Sequence, residues 1–363
     1  MPRGLGGARS GPTQIAEGAD REIRSRAAAV RFATIGAMPE TTEISEPLTQ
    51  PRSPAAERFD PAVWKARWVP ERSLGWRDFL ADARARLGAR AADLERALWH
   101  GGVHVSGAPV DVERPPAEVP VGGWVAVYGF VREPETLALD PARILHDADG
   151  VVAVDKPPWL SMQRTRASTR ASLEDQLQTL LGDRALWAVH RLDRQTSGVA
   201  LFARGRARAA ELGREFAARR ARKRYLACVA PAPRADEFAV HGLLGRAPHP
   251  SRFKFGLFSE PAADRRESAT HFRVAARGAR GAKLEAFPET GRTHQLRVHL
   301  AANGTPIAGD DLYGPEWQAG APHAAPRVLL HAAELAVPLA GRTLELFAAE
   351  PDDVAGFLAA HRS

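Results

Sequence analysis

The residues best suited to chemistry lie together in one short polar segment, HRLDRQTSG, at positions 190–198. Within it Asp193 lies between Arg191 and Arg194, and apolar residues flank the segment on both sides. Nearby positive charge favours the ionised form of a carboxyl group. An ionised and oriented carboxylate is what a nucleophile or a general base requires. Taken alone, the pattern fits a structural salt bridge in a loop at least as well.

Other candidate groups in the chain favour packing or surface roles. His294 and His299 are five residues apart and do not form the HExxH zinc pattern, so a metal-dependent hydrolase is only a distant alternative. Ser161 and Ser197 lack the G-x-S-x-G context of a hydrolase nucleophile. The single cysteine, Cys228, lies in the apolar run LACVA and predicts a buried structural thiol. One cysteine also excludes an internal disulfide and a cysteine-based metal cluster.

The composition points to a protein with a polyanionic partner. The 363 residues are 44% hydrophobic, which is enough for a core, and no apolar run is long enough to span a membrane. We find no signal peptide, and cysteine usage is compatible with the cytoplasm. The net charge is +7, and all of this excess falls on residues 58–363, since residues 1–57 are neutral. A basic balance of this kind favours nucleic acid as a partner, although it also serves solubility.

The chain divides into three parts. Residues 1–57 have the composition of a disordered leader, and we hypothesise that Met38 is an alternative start. Residues 71–130 predict two short helices followed by a small sheet, because helical apolar spacing gives way to the alternation in GGVHVSG. From residue 143 to about 350, strands alternate with a few helices.

Two basic segments follow the polar loop in the sequence. The run 203–225 holds nine basic and two acidic residues. Read as a helix from about 206 to 219, it directs arginines outward and the following apolar residues inward: Ala209, Leu212, Phe216 and Ala217. The outer face is either an ordinary solvated surface or a phosphate-contacting ridge. The segment 249–258 interleaves basic and aromatic residues, which fits an RNA contact or a strand core.

At this point the sequence resembles a known family. HRLDRQTSG is similar to the HRLDxxTSG loop of the RluA-type pseudouridine synthases. Further family motifs follow in the same order, and they read ILHDADGVVAVDKP from residue 144, KRYLACV from 223, TGRTHQLRVHLAANGTPIAGDDLYG from 290 and LLHAAELAVP from 329. The likeness covers residues 143–347. It departs from the family pattern in WLSMQRT after the DKP motif and in AVPL near the end.

The resemblance implies a role for each matching residue. Asp193 would be the catalytic carboxylate, Tyr225 would stack on the flipped uracil, and Arg297 would pair with Asp193. Whether Asp193 attacks the sugar, attacks the uracil ring or removes a sugar proton stays open. RNA contacts are implied for five further residues: Arg191, Arg194, Lys223, Arg292 and His294.

The resemblance also sets expectations for the whole molecule. We expect an α+β catalytic domain over residues 143–350, with a mixed, mainly antiparallel sheet, flanking helices and a cleft. The preceding module, residues 71–130, resembles a small RNA-binding module of ribosomal proteins and tRNA synthetases. The implied protein is a cytoplasmic, monomeric enzyme that isomerises uridine in ribosomal or transfer RNA without a cofactor or metal. The alternative is a non-catalytic RNA-binding or ribosome-assembly protein that retains the fold.

Overall fold

The computed structural model describes residues 63–130, 137–248, 254–314 and 325–359. The predicted leader over residues 1–57 and the alternative start at Met38 therefore lie outside the described residues. The same holds for residues 249–253 of the basic and aromatic segment.

The front part of the described chain is a small sheet with two helices on one face. Its elements are β1 (Val63–Trp68), β2 (Leu74–Gly75), α1 (Trp76–Leu87), α2 (Leu94–His100), β3 (Val103–Val105), β4 (Ala108–Pro109), β5 (Glu118–Val119) and β6 (Val125–Phe130). The main sheet has the order β1-β6-β3-β4, and β2 pairs with β5.

The two predicted helices of this front part are present, and the spacing of their apolar residues explains how they pack. In α1 the side chains of Phe79, Ala83 and Leu87 are buried, as expected for residues on one helical face. The helix α2 ends at Gly101, whose φ of 72° suits glycine. Strand β1 precedes the predicted start of the module at residue 71 and pairs with all of β6.

The rest of the described chain forms one large sheet with a few helices. Its strands are β7 (Ile144–Ala148), β8 (Val151–Lys156), β9 (Leu186–Ala188), β10 (Ser197–Arg204), β11 (Arg222–Val229), β12 (Glu237–Arg246), β13 (Phe255–Phe258), β14 (Arg266–Gly278), β15 (Gly281–Pro288), β16 (Leu330–Leu339) and β17 (Arg342–Phe347). Its helices are α3 (Leu173–Leu180), α4 (Arg206–Ala217), α5 (Gln295–Ala302) and α6 (Asp352–Ala355).

The large sheet is mixed and mainly antiparallel, which confirms the predicted fold class. Its order is β13-β12-β14-β15-β11-β16-β10-β8-β7, with β17 beside β16 and β9 beside β10. The pairing of β10 with β16 is parallel, whereas the other pairs in the described part of this sheet are antiparallel. Strand β10 is buried on both faces, which explains its continuous apolar run VALF.

The helices differ from expectation in two places. Helix α4 buries Leu212 as predicted, but Ala217 is exposed at its end rather than packed in the core. Helix α5 lies within the motif TGRTHQLRVHLAANG, where the sequence predicts no helix. Six consecutive residues of α5, from Gln295 to Leu300, are buried, so the helix lacks the one-sided apolar pattern by which helices are recognised. No helix in the described ranges is long and apolar enough to cross a membrane.

Candidate active site

The loop that carries Asp193 connects β9 to β10. Two buried basic side chains form hydrogen bonds with its backbone. Lys156 is fully buried, and its Nζ donates hydrogen bonds to the carbonyl oxygens of Arg194 and Thr196 at 3.0 and 2.7 Å. Arg327, also buried, donates to the carbonyl oxygen of Gln195 at 3.1 Å. Three consecutive carbonyl groups after Asp193 are thus bound to positive charges, which fixes the backbone on which the carboxylate stands.

Burial and neighbouring charges act on Lys156 in opposite directions. Burial, together with the nearby Arg194 and Arg327, holds the pKa of Lys156 well below its usual range. Asp193 and Asp155 oppose this shift. The three hydrogen bonds of Lys156, including one to the Pro157 carbonyl at 3.0 Å, satisfy all donors of an ammonium group.

Arg297 connects Asp193 to a second, deeper carboxylate. Helix α5 places the guanidinium of Arg297 in a buried position, where Nη1 lies 3.5 Å from Oδ2 of Asp193. The same guanidinium donates through Nε and Nη2 to the two carboxylate oxygens of Asp310, each at 2.8 Å. Although burial opposes the charge of Arg297, Asp310 and Asp193 raise its pKa overall. Arg297 is therefore a permanent positive charge beside the carboxylate, oriented by Asp310.

His294 approaches Asp193 from the other side. Its Nε2 lies 3.9 Å from Oδ1 of Asp193, and its Nδ1 lies 2.8 Å from the hydroxyl of Tyr313. Because that hydroxyl accepts a hydrogen bond from the backbone N–H of Phe255 at 3.0 Å, its own proton is available for Nδ1 of His294. If Nδ1 accepts that proton, a neutral imidazole carries its own proton on Nε2, the atom that faces the carboxylate.

Tyr225 supplies an aromatic surface in the same place. It lies on β11, where the register shifts between Arg224 and Tyr225 against β16. Burial and the nearby charge of Asp193 raise the pKa of Tyr225 well above its usual range. The phenol is therefore neutral at physiological pH.

Asp193, Tyr225, His294 and Arg297 line one cavity of 490 Å³. The lining includes the three predicted catalytic residues Asp193, Tyr225 and Arg297. Four of the five predicted RNA contacts also line it: Arg191, Lys223, Arg292 and His294. The fold thus brings together predicted site residues that are distant in the sequence, since Arg191 and Arg297 are 106 positions apart.

Burial lowers the pKa of two basic side chains that line the cavity. His190 stacks on Phe216 with ring centroids 5.1 Å apart, and its Nε2 accepts the backbone N–H of Leu201. Burial, together with the charge of Lys223, lowers the pKa of His190 to about 4, so this imidazole is neutral. Burial also lowers the pKa of Lys223 to about 8, and its Nζ donates to the Thr290 carbonyl at 3.2 Å.

Arg194 differs from the other predicted RNA contacts, because it does not line the cavity. Its guanidinium lies 3.6 Å from the centroid of the Phe130 ring, at the end of β6 in the front sheet. The Trp159 ring is 5.2 Å away on the loop after β8. The structure thus gives Arg194 a packing position between the two parts of the chain.

The two histidines of the TGRTHQLRVH motif do not share a site. His294 lines the cavity, whereas His299 is fully buried and bonded to Ser268 Oγ at 2.9 Å and Thr270 Oγ1 at 3.0 Å. In the parts of the chain that the structure describes, no group of three or more His, Cys, Asp or Glu side chains is arranged to hold a metal ion. Cys228 is buried in the core, as its apolar context predicts.

Sequence reasoning missed the residues that orient the site. Asp310 and Tyr313 belong to the quoted motif GDDLYG, which was a usable signal for Asp310. Lys156 likewise belongs to the quoted motif that ends in DKP, whereas Arg327 lies outside the quoted motifs. Both bond to backbone carbonyl groups of the Asp193 loop, and the sequence does not indicate such partners.

Comparison with known proteins adds independent information. Residues 150–302 match the family model described as RNA pseudouridylate synthase. The chain is 30% identical over 227 residues to an uncharacterised RNA pseudouridine synthase of Synechocystis, an alignment that covers 61% of this chain and 75% of that protein. It is 35% identical to the dual-specificity RNA pseudouridine synthase RluA of Vibrio cholerae, over 53% of this chain and 75% of that one.

A synthase named for the large ribosomal subunit and a solved human structure are also similar to this chain. The chain is 33% identical to ribosomal large subunit pseudouridine synthase D of Nitrosomonas europaea, over 61% of this chain and 66% of that protein. Human RNA pseudouridylate synthase domain containing 4 has a similar structure, with a TM-score of 0.51 at 25% identity. That match covers 60% of this chain and 92% of the human one.

Proposed function

The chain belongs to the RluA-type family of RNA pseudouridine synthases, and on this premise we propose that it converts specific uridines of ribosomal or transfer RNA into pseudouridine. One relative is named for the large ribosomal subunit and another is named a dual-specificity RNA enzyme. The observation that carries the proposal is the carboxylate of Asp193 beside the buried guanidinium of Arg297, in a cavity that Tyr225 also lines.

The geometry fits the chemistry of this isomerisation. The bond between N1 of uracil and C1′ of ribose breaks, the base turns, and a bond forms between C5 and C1′. The proton lost from C5 is matched by one gained at N1, so atoms and electrons balance within one nucleotide. The reaction is therefore redox-neutral and needs no redox cofactor, and we propose that it also proceeds without a metal.

The substrate nucleotide must leave its base stack to reach the cavity. Extrusion of a base costs a few kcal/mol, and less where the nucleotide is already unpaired. Inside the cavity, Tyr225 offers a ring for stacking, and Asp193 faces the sugar or the base as a charged group. The carboxylate can attack the sugar, attack the ring or remove a sugar proton, and all three courses use the same counter-charge on Arg297.

The proposal extends to the organisation of the protein. We assign the catalytic domain to residues 143–350 and an RNA-binding role to the front module at residues 71–130. Arg191, Lys223 and Arg292 at the cavity then contact the RNA backbone. We further propose that the enzyme works as a monomer in the cytoplasm, where its RNA substrates are found.

The test is the exchange of Asp193 for Asn, which keeps the shape of the side chain but removes its charge. We expect cells that carry only Asp193→Asn to lose pseudouridine at the target positions, as mapped across the transcriptome against cells with the unaltered gene. Asp183→Asn is the matched control, since Asp183 pairs with Arg204 away from the cavity. Survival of all pseudouridines with Asp193→Asn would favour the non-catalytic RNA-binding alternative.

A further inference from the structure

Two residues at the start of α5 face the carboxylate of Asp193. His294 is the residue directly before this helix, and Arg297 lies three residues later. Nη1 of Arg297 lies 3.5 Å from Oδ2 of Asp193, and Nε2 of His294 lies 3.9 Å from Oδ1. Each oxygen of the carboxylate therefore has its own facing nitrogen atom.

The turn formed by the GDDLYG motif orients both of these nitrogen groups. Asp310 accepts hydrogen bonds from Nε and Nη2 of Arg297, each at 2.8 Å. Three residues further along the turn, the hydroxyl of Tyr313 lies 2.8 Å from Nδ1 of His294. The turn is closed by a hydrogen bond from the N–H of Gly314 to the carbonyl oxygen of Asp310 at 3.0 Å. Two residues of one short turn thus hold the two groups that face the carboxylate.

The imidazole of His294 packs against two aromatic rings. It meets the ring of Phe255 on β13 nearly edge-on, with centroids 5.7 Å apart, and the ring of Tyr313 in the same way at 5.6 Å. Only 15% of the His294 side chain is exposed. Its backbone has a φ of 57°, in the left-handed region that residues other than glycine rarely adopt. Such conformations persist where the surroundings fix them, and they cluster at functional sites.

Tyr313 connects His294 to the backbone of β13. Its hydroxyl accepts a hydrogen bond from the N–H of Phe255 at 3.0 Å. Burial raises the pKa of Tyr313 well above its usual range, so the hydroxyl keeps a proton that it can donate to Nδ1 of His294. A neutral imidazole that accepts at Nδ1 has its own proton on Nε2, where it faces Asp193.

A contact at one oxygen does not by itself fix the plane of a carboxylate. The terminal torsion of an aspartate side chain is broad and roughly two-fold, and the side chain of Asp193 is 28% exposed. Arg297 bonds to Oδ2 at 3.5 Å, which leaves room for rotation about this torsion. A second donor at Oδ1 would define the torsion, and the efficiency of a reacting group depends on such alignment.

We propose that His294 is a positioning residue for Asp193 in the isomerisation, and that its Nε2–H closes onto Oδ1 when the target nucleotide enters the cavity; this rests on the proposed function. At 3.9 Å the two atoms are too far apart for a hydrogen bond, but catalytic contacts often tighten only in the complex with substrate. The role differs from the RNA contact that the resemblance implies for His294, because Nδ1 and Nε2 are directed at Tyr313 and Asp193.

The first test separates the reaction rate from RNA binding. Asparagine suits the left-handed backbone of residue 294, but the amide of His294→Asn ends short of the Nε2 position. We expect the single-turnover rate of pseudouridine formation to fall about 10- to 150-fold, the loss expected for one hydrogen bond to a charged group. The dissociation constant of the RNA should not change. The RNA is an unmodified transcript that spans a uridine whose pseudouridine depends on this gene in the transcriptome map.

Three further variants make this result specific. His294→Gln carries an amide N–H about as far out as Nε2 and should recover most of the lost rate. Tyr313→Phe should lower the rate in the unaltered protein and have no further effect in His294→Asn, because Tyr313 acts through His294. His146→Asn is the matched control, since His146 lies on β7 and does not line the cavity, and it should leave the rate unchanged.

Three kinetic outcomes would overturn the proposal. They are an unchanged rate in His294→Asn, equal rates in the Asn and Gln variants, and a loss that appears only in RNA binding. The last of these would assign His294 to an RNA contact instead. Failure of the proposed function is distinguishable from all three, because no pseudouridine would then depend on the gene and the unaltered protein would also be inactive.

A second test requires no turnover. Nitrogen NMR shifts of an imidazole show which ring nitrogen carries a proton, and comparison with His294→Asn identifies the His294 signals among those of the 12 histidines. We expect a proton on Nε2 and a change in the Nε2 signal when Asp193 is replaced by Asn. An Nε2 without a proton, or a signal that is insensitive to Asp193→Asn, would overturn the proposal.

Discussion

Asp310 determines how Arg297 is presented to Asp193. Both oxygens of Asp310 accept from Arg297, and the backbone N–H groups of Leu312 and Tyr313 donate to Oδ1 at 3.0 Å. Burial alone would raise the pKa of Asp310, but Arg297 and these N–H groups outweigh it and lower the pKa below the usual 3.8. The site thus depends on a carboxylate that does not itself line the cavity.

We therefore expect Asp310→Asn to lower the free energy of unfolding and to make this free energy depend less steeply on pH in the acid range. Loss of one partner from a buried pair costs about 3–5 kcal/mol. Since the folded pKa of Asp310 is depressed, its contribution is present above the unfolded pKa and is lost as pH falls through the lower folded value. Urea unfolding between pH 7 and pH 2 measures both effects. Asp311→Asn is the control, because Asp311 is 3.8 Å from Arg297 and partly exposed. Equal losses in both variants would contradict this role of Asp310.

Tyr225 illustrates how the environment limits the chemistry of a residue. Its pKa is raised by burial and by Asp193, so the hydroxyl keeps its proton. We expect Tyr225→Phe to bind RNA within about twofold of the unaltered protein, because the ring remains. Tyr225→Ala should weaken binding by roughly 5- to 150-fold, which corresponds to about 1–3 kcal/mol of stacking per base. RNA titration of both variants measures the difference, and an equal loss of affinity in both would show that the hydroxyl dominates.

At the scale of elements, the loop of Asp193 ends where β10 and β16 come unusually close. Gly198 has a φ of 108°, and a Cβ at this position would overlap the carbonyl oxygen of Ala332. Gly198 and Ala332 are also paired in the parallel register of these strands. A side chain here would push apart the two strands at the end of the Asp193 loop.

We expect Gly198→Ala to lower the melting temperature and to reduce the rate of pseudouridine formation. A residue with a Cβ in this backbone region is strained by about 1–3 kcal/mol, and the overlap with β16 adds to this cost. Gly213→Ala is the control for which we expect an effect of opposite sign, because Gly213 lies inside α4 with open space around it. Alanine in a helix interior is favoured by about 0.5–1 kcal/mol, so this variant should be slightly more stable. Equal stability of the two variants would contradict the prediction.

The elements that the sequence could predict are those with one-sided patterns. The spacing of Phe79, Ala83 and Leu87 predicts α1, and the run VALF predicts the interior of β10. Helix α5 could not be predicted in this way, because its neighbours bury it on all sides. The motif residues Asp193, Tyr225 and Arg297 were predictable from resemblance. The support that Lys156 gives to the Asp193 loop could not be predicted. It depends on hydrogen bonds to backbone carbonyl groups, which every residue type has.

At the scale of the whole molecule, the sequence predicts a front module but not how it is attached. The attachment uses backbone oxygens of α2 and the turn after it: Thr169 donates to the Gly101 carbonyl at 2.8 Å and Arg170 to that of Trp99 at 2.9 Å. His100 and Ser168 bond at 3.1 Å within the same contact. Ser168, Thr169 and Arg170 lie three to five residues after WLSMQRT, the stretch in which the chain departs from its family pattern. The attachment to the front module is thus made just beyond that departure.

This attachment should make the front module and the catalytic domain unfold together. Ala167 is buried against Ala126, Tyr128 and Phe130 at the centre of the contact, so Ala167→Asp would place a charge in an apolar environment. We expect the unaltered protein to unfold in a single calorimetric transition and Ala167→Asp to show a separate, earlier one. Ala218→Asp, an exposed position after α4, should change the melting temperature little. A single, unshifted transition in Ala167→Asp would contradict the prediction, because the two parts would then stay coupled without the apolar contact at Ala167.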